Sequence, residues 1–168
     1  MQKTFFIGDT HFGHKNIMSF EPVARPFSSL EEMHEVMIDR WNSVVDPDDI
    51  VYHLGDFCFG KGWIWKASLL NGDKRLILGN HDSYPMEEYL KYFKWVRGVY
   101  HWKDCILTHI PIHPNGLGKR FKFNIHGHLH SKTVGDDRYI NVSCERNNLY
   151  PIDATELFKQ NQPSDSYD

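Results

Sequence analysis

Five short strings carry residue types that bind cations or move protons. They are Gly8-Asp9-Thr10-His11, Leu54-Gly55-Asp56-Phe57, Gly79-Asn80-His81-Asp82, Thr108-His109 and Gly127-His128-Leu129-His130, and each follows an apolar run. Residues two apart on a strand point to the same side, so Asp9 and His11 can face one ion as a carboxylate and an imidazole. The same spacing puts His128 and His130 on one face. Asp56 has two oxygens, enough to bridge two cations. Asn80 offers a neutral amide oxygen, His81 a proton donor, and Asp82 a carboxylate able to orient that imidazole. The glycines let backbone approach closely. Each string alone has a bland alternative, an Asp capping the next element or a Gly-Asn turn. A fixed four-residue string arises by chance on the order of once in 10⁵ windows. Separate turns do not account for five such strings in order, each after an apolar strand.

The elements that must position these residues are legible in the pattern. Residues 3–8 read as a short buried strand. Ser28 and Ser29 precede Glu31 and Glu32 at capping-box spacing. Leu30, Met33, Met37, Trp41 and Val44 then recur at steps of three and four, which predicts an amphipathic helix over 29–45. Asp46-Pro47-Asp48 ends it. Strands are predicted at 50–54 and 75–78 and helices at 61–71 and 86–94. Beyond these the texture changes to strands at 95–102, 104–109, 122–128 and 138–144 with no long helix. Alternation followed by mostly β predicts a mixed or two-sheet α/β sandwich. Ligands gather at the carboxyl ends of strands in such folds, and the five strings sit at those ends.

The bulk numbers agree with a small globular protein. The chain has 168 residues, 40% hydrophobic and 24% charged, with a net charge of −3. That length predicts one domain over 1–159, with the polar, acidic stretch 160–168 as a flexible tail. The charge balance excludes a strong general attraction for nucleic acid or anionic membrane. Lys119, Arg120 and Lys122 form a local basic cluster, read as a solvated loop. Three widely spaced cysteines argue against a disulfide framework and against a thiolate zinc site. With no leader-like start and no apolar span, the expectation is an unprocessed cytoplasmic protein with no membrane partner.

Taken together, the five strings resemble the signature of the calcineurin-like metallophosphoesterase family: Asp-x-His, Gly-Asp, Gly-Asn-His-Asp/Glu, a lone His, then Gly-His-x-His. They span residues 8–130 of the chain. The string from Asp9 to Asn16 and the segment Arg25-Pro26-Phe27 are similar to small single-domain bacterial and phage members. The resemblance implies a two-sheet mixed β sandwich flanked by helices in four layers. It also implies two divalent cations, one held by Asp9, His11, Asp56 and His130, the other by Asp56, Asn80, His109 and His128, with Asp56 bridging. His81 is then not a ligand but contacts the phosphoryl group or protonates the leaving oxygen, with Asp82 behind it. Two divalent ions, two carboxylates and a bridging hydroxide leave roughly one net positive charge, suited to an anionic ester. Donors of nitrogen and oxygen without thiolate suit Mn, Fe, Zn, Co or Ni, with Mn favoured.

The remaining candidates are weaker. His14, in the loop of His11, is a candidate for substrate contact, a surface role being the alternative. Arg25 is a candidate for holding a substrate phosphate in a bidentate contact, with an ordinary surface arginine as the alternative. His53 reads as packed in its strand, and His126 as supporting rather than ligating. His113 competes with His109, which is preferred because it directly follows Ile106-Leu107. His34 and His101 receive structural readings, and Asn141 is a candidate support for the ligands. The expected activity is metal-dependent hydrolysis of phosphodiesters or phosphomonoesters by attack of a metal-bridging hydroxide. Nucleotides and nucleic acids fall within the substrate class, and the oligomeric state is open. The alternative is a catalytically weak metal-binding scaffold of the same fold. A metallohydrolase of the His-x-His-x-Asp-His type would leave Gly79 to Asp82 unexplained.

Overall fold

Two parallel-rich sheets face one another in the computed structural model, which describes residues 1–160. The first comprises β1 (Thr4–Ile7), β2 (Ile50–His53), β3 (Asp73–Ile77), β4 (Trp95–Arg97) and β9 (Ile152–Asp153), in the order β4-β3-β2-β1-β9. The second comprises β5 (Tyr100–Trp102), β6 (Cys105–Leu107), β7 (Phe123–His126) and β8 (Tyr139–Asn141), paired in chain order. β1 to β4 are parallel and β9 is antiparallel. β6, β7 and β8 are parallel and β5 is antiparallel. The two-sheet mixed sandwich flanked by helices is therefore the architecture of this chain.

Strand alternation explains the layering. Phe5, Ile7, Val51 and Leu76 project to one side of the first sheet and pack with Met33, Met37 and Trp41 of α2 (Leu30–Val44). Phe6, Tyr52, Leu54 and Ile77 project to the other side and meet Cys105, Leu107, Ile125 and Ile140 of the second sheet. α4 (Ala154–Gln160) closes the edge of this inter-sheet core with Leu157 and Phe158. The outer face of the second sheet is covered by an irregular segment with a 3₁₀ turn at Pro114–Gly116, anchored where Ile112 N–H donates to Asn124 and Tyr139 O–H donates to Ile112 O.

α2 begins where the capping residues put it. Ser29 accepts the Glu32 N–H at 3.0 Å, and Glu32 in turn accepts the Ser28 N–H at 2.8 Å. The other predicted helices are shorter. Residues 61–71 form a 3₁₀ helix at Ile64–Leu69, entered from Gly60 and Gly62 in left-handed conformations, and α3 is a single turn, Met86–Tyr89. α1 (Ile17–Phe20), β9 and α4 were not anticipated. The segment 95–102 is not one strand: β4 belongs to the first sheet and β5 to the second, with Gly98 between them where the chain crosses over. Gln160, expected in the tail, ends α4, and residues 161–168 lie outside the described residues.

His34 and His53 are buried in the first sheet's helical side and accept or donate without charge. His34 accepts the Gly13 N–H, and His53 pairs with the Thr10 hydroxyl, which itself donates to Phe57 O. Burial pushes His34 down to about 4, helped by Lys66, and His53 down to about 3, helped by His109. Above the ordinary histidine pKa both states of the protein hold these rings neutral. Below it the unfolded chain takes up protons that the folded chain refuses. The contribution of these two rings to stability therefore falls as pH drops from about 6.5 toward 4, each refused proton contributing up to about 1.4 kcal/mol per pH unit, while Asp9 and Asp82, raised by burial to about 6, act in the opposite sense. Urea unfolding of wild type and His53→Gln, both chelator-treated, across this range should differ in slope by up to one proton, the variant taking up fewer protons on unfolding.

Candidate metal centre

The carboxyl ends of the parallel strands of both sheets open on the same edge. Asp9 follows β1 and Asp56 follows β2. Asn80, His81 and Asp82 follow β3, His109 follows β6, and His128 and His130 follow β7. Backbone hydrogen bonds knit these ends together, from Asp9 N to Gly55 O, His11 N to Asp56 O and Gly127 N to His109 O. β1 is linked across to the second sheet by Gly8 N to Val142 O and Cys144 N to Gly8 O.

Neither the convergence of Asp9 with His11 nor the placement of His128 and His130 comes from strand alternation. All four lie beyond their strands in left-handed turns, with φ of 57° for Asp9, 51° for His11, 69° for His128 and 51° for His130. Asp56 shares the conformation at 53°. Left-handed backbone costs a residue with a β-carbon of order 1–2 kcal/mol, so surrounding contacts must impose it. His128 and His130 consequently part company: His128 joins Asp56 and His109, whereas His130 joins Asp9 and His11. Within each trio the ligating atoms lie within 4.8 Å of one another.

Asp56 stands between the trios. Its Oδ2 is 3.5 Å from His11 Nε2 and 3.3 Å from His109 Nε2, and its Oδ1 accepts the His81 backbone N–H at 2.8 Å. Asp9, His11, Asp56 and His109 are all at most 3% exposed. Asp9 is fixed by the His128 N–H and by the Ser143 hydroxyl at 2.7 Å. Glycine is obligatory at three contacts. A β-carbon on Gly79 would lie 2.2 Å from Asp56 Oδ1, on Gly127 2.4 Å from Asp9 Oδ2, and on Gly55 2.6 Å from His109 Nδ1.

The donors fit cations on two grounds. First, His109 Nδ1 lies 2.7 Å from Leu54 O, an acceptor only, so that nitrogen carries the proton. Its Nε2 lone pair then faces Asp56 Oδ2, Asn80 Oδ1 at 3.0 Å and His128 Nδ1 at 3.2 Å. A carboxylate oxygen, an amide oxygen and two imidazole nitrogens meet with no neutral-state proton to satisfy them all. Second, His11 Nε2 is buried with no hydrogen-bond partner among the described residues, directed between Asp9 and Asp56. Buried polar atoms are rarely left so.

Charges are displaced accordingly. Burial pushes Asp9 up to about 6 despite His109 and His130 nearby. Burial also opposes ionisation of Asp56; without a cation, a proton on His109 Nε2 takes its place, and that hydrogen bond and charge, with the His81 N–H, hold Asp56 well below the usual carboxylate range and raise His109. Burial drives His11 down to about 2, the neutral form a ligand needs.

The structure also relocates several predicted residues. His81 is exposed at the mouth, its ring 5.6 Å from that of His11 and 5.1 Å from Phe59. Asp82 does not sit behind the His81 imidazole. Its carboxylate accepts backbone N–H groups from Asp56 and Gly79 at 2.8 Å and Phe57 at 3.0 Å, so it clamps the Asp56 turn to the Gly79 turn. Burial raises it to about 6, partly offset by those bonds. His14 lies beside His11 and stacks on Phe59 at 4.1 Å. Arg25 is neither at the surface nor turned toward a substrate. It is 1% exposed, with its guanidinium on Glu145 and on the Asp9 and Thr10 carbonyls. His113 is exposed and caps a 3₁₀ turn away from both trios. His126 is buried with Nδ1 on Gly127 O and stands in neither trio. Asn141 ties down the His130 and Lys132 carbonyls. Glu145 and Ser143 were not singled out from sequence, since neither lies in a recognisable string.

The sequence model of the calcineurin-like phosphoesterase family matches residues 3–167. The chain belongs to that family. An uncharacterised protein of Methanocaldococcus jannaschii, MJ1445, is 35% identical over 95% of this chain and 91% of its own length. The gene 66 protein of Mycobacterium phage L5 is 41% identical over 51% of this chain, which spans 43% of that protein. A crystal structure of the protein of unknown function AQ665 from Aquifex aeolicus superposes with a TM-score of 0.78 at 27% identity, covering 95% of this chain and all of that one. No described helix is long and apolar enough to cross a membrane.

Gly79→Ala should push its new methyl group into Asp56 and weaken divalent-cation binding by about 10–100-fold, the scale on which disturbing ligand support acts. Calorimetric titration checks the affinity, and an unchanged circular dichroism spectrum shows that the fold survives.

Proposed function

We propose that the chain is a dinuclear metal-dependent phosphoesterase that hydrolyses phosphodiesters or phosphomonoesters, with Mn the favoured metal. The observation that carries this reading is the Asp56 carboxylate between two His/Asp trios, the candidate ligand atoms of each within 4.8 Å of one another. Asp9, His11, Asp56 and His130 would hold one cation, and Asp56, Asn80, His109 and His128 the other. Two divalent cations bound there would polarise the phosphoryl group and lower the pKa of a water for attack at phosphorus.

The chain's own residues do the rest. Asp56 presents Oδ2 to both trios because Oδ1 is tied to the His81 N–H and its backbone to Asp82. The His81 imidazole stands free at the mouth, able to contact a phosphoryl oxygen or give a proton to the leaving oxygen. His14 and Phe59 form a stacked wall beside it, and Phe20, 67% exposed, extends that wall. Asn80 and His81 are exposed and no described segment caps them. An open mouth of this kind suits accessible diesters and nucleotides over an enclosed metabolite. The cytoplasm remains the expected compartment.

His81 holds Asp56 through its backbone, so its side chain can be removed without releasing the carboxylate. His81→Ala should retain two cations and lose about 10²–10⁴-fold in kcat, the usual contribution of a positioned acid. The assay is hydrolysis of bis-p-nitrophenyl phosphate with added Mn, beside metal content by atomic emission. Absence of turnover with every divalent metal, on monoesters and diesters alike, defeats the proposal.

A further inference from the structure

We infer that Glu145 is a positioning residue for the Asp9–His11–His130 trio, acting with Arg25 as a buried ion pair that sets the tautomer of His130 and the turn at Asp9. The inference rests on the reading of that trio as a cation site.

Glu145 follows β8 in the 3₁₀ turn Cys144–Asn147, and its side chain is fully buried. One oxygen, Oε1, serves two partners. It lies 3.0 Å from His130 Nδ1 and 2.7 Å from Arg25 Nη2, with Arg25 Nε at 2.8 Å. A carboxylate with a charged partner accepts only, so His130 must donate from Nδ1. That leaves the Nε2 lone pair of the neutral ring for the trio, and a ring held by a carboxylate is both oriented and more basic as a ligand. Arg25 then carries the effect to the second ligand. Its remaining N–H groups donate to the carbonyls of Asp9 and Thr10, within the left-handed turn that aims Asp9 and His11. Removing one member of a buried pair leaves the other charge unpaired, so this arrangement persists only as a unit.

The other trio has separate support. His109 is oriented by Leu54 O, and Asp56 by Asp82 and the His81 N–H. Neither Glu145 nor Arg25 touches these groups in the hydrogen-bond or ion-pair contacts of the described residues. Loss of Glu145 should therefore divide the two cations, which a general structural role would not do.

The test uses the full chain with Glu145→Gln, which keeps shape and removes charge, and Glu145→Asp, which keeps a counter-charge for Arg25 but withdraws from His130. The second variant guards against failure of the first to fold. Calorimetric titration of chelator-treated protein with Mn, read beside the electron paramagnetic signal of coupled Mn pairs, should show one cation weakened about 10–100-fold and the other unchanged. In the metal-free protein at alkaline pH, long-range proton–nitrogen correlation should show His130 protonated at Nδ1 in the wild type and no longer fixed there in the variants. Unchanged binding of both cations with an unchanged tautomer overturns the inference, as does equal weakening of both cations. If the wild type binds no pair of cations, the phosphoesterase reading fails, while the tautomer measurement still decides the role of Glu145.

Discussion

Everything at this edge of the molecule depends on concentrating lone pairs where protein chemistry offers too few protons to share. The Asp56 carboxylate, two imidazole nitrogens from the second sheet and the Asn80 amide oxygen meet within hydrogen-bonding distance at His109 Nε2. His11 Nε2, with no hydrogen-bond partner among the described residues, stands between two carboxylates. Such an arrangement is unfavourable by itself, because buried acceptors without donors forfeit their hydration. A divalent cation at each trio would convert the same lone pairs into ligands, and the free energy withheld by their crowding would then favour binding.

That arrangement is sustained by backbone held where it does not prefer to be. Five proposed ligands are left-handed. Each left-handed turn is tied by contacts from a distant segment: Asp9 by Arg25, Ser143 and the His128 N–H, and Asp56 by Asp82 and by the close approach of Gly79. Strain of this kind persists where the surroundings over-determine it and is concentrated at functional sites. The cores supply the needed rigidity. Phe6, Leu54 and Ile77 lock the sheets face to face, while Trp41 and its neighbours on α2 hold the first sheet from outside. The strand ends therefore have little freedom to relax apart.

The two trios are supported differently. The Asp56–His109–His128 trio leans on neutral and backbone groups together with Asp82. The Asp9–His11–His130 trio leans on a buried ion pair drawn from two remote loops, residues 25 and 145. A buried pair is weak as a source of stability but strict in geometry, which suits a role in aiming ligands.

The sequence by itself determined the residue types, their order and the strand ends they follow. Strand alternation and the apolar runs also determined which faces are buried, and Ser29 with Glu32 determined where α2 begins. It could not determine how the ligands divide, because local spacing treats His128 and His130 alike; two left-handed turns send them to different partners. Nor could it place Asp82, read beside His81 by adjacency, since its acceptors are spent on backbone donors from β2's far end. Arg25 and Glu145 were beyond local reading altogether. They are 120 residues apart and meet only when the second sheet closes on the first. Spacing along the chain fixes what a short segment can do alone, whereas a buried charge is defined by whatever the fold brings to neutralise it.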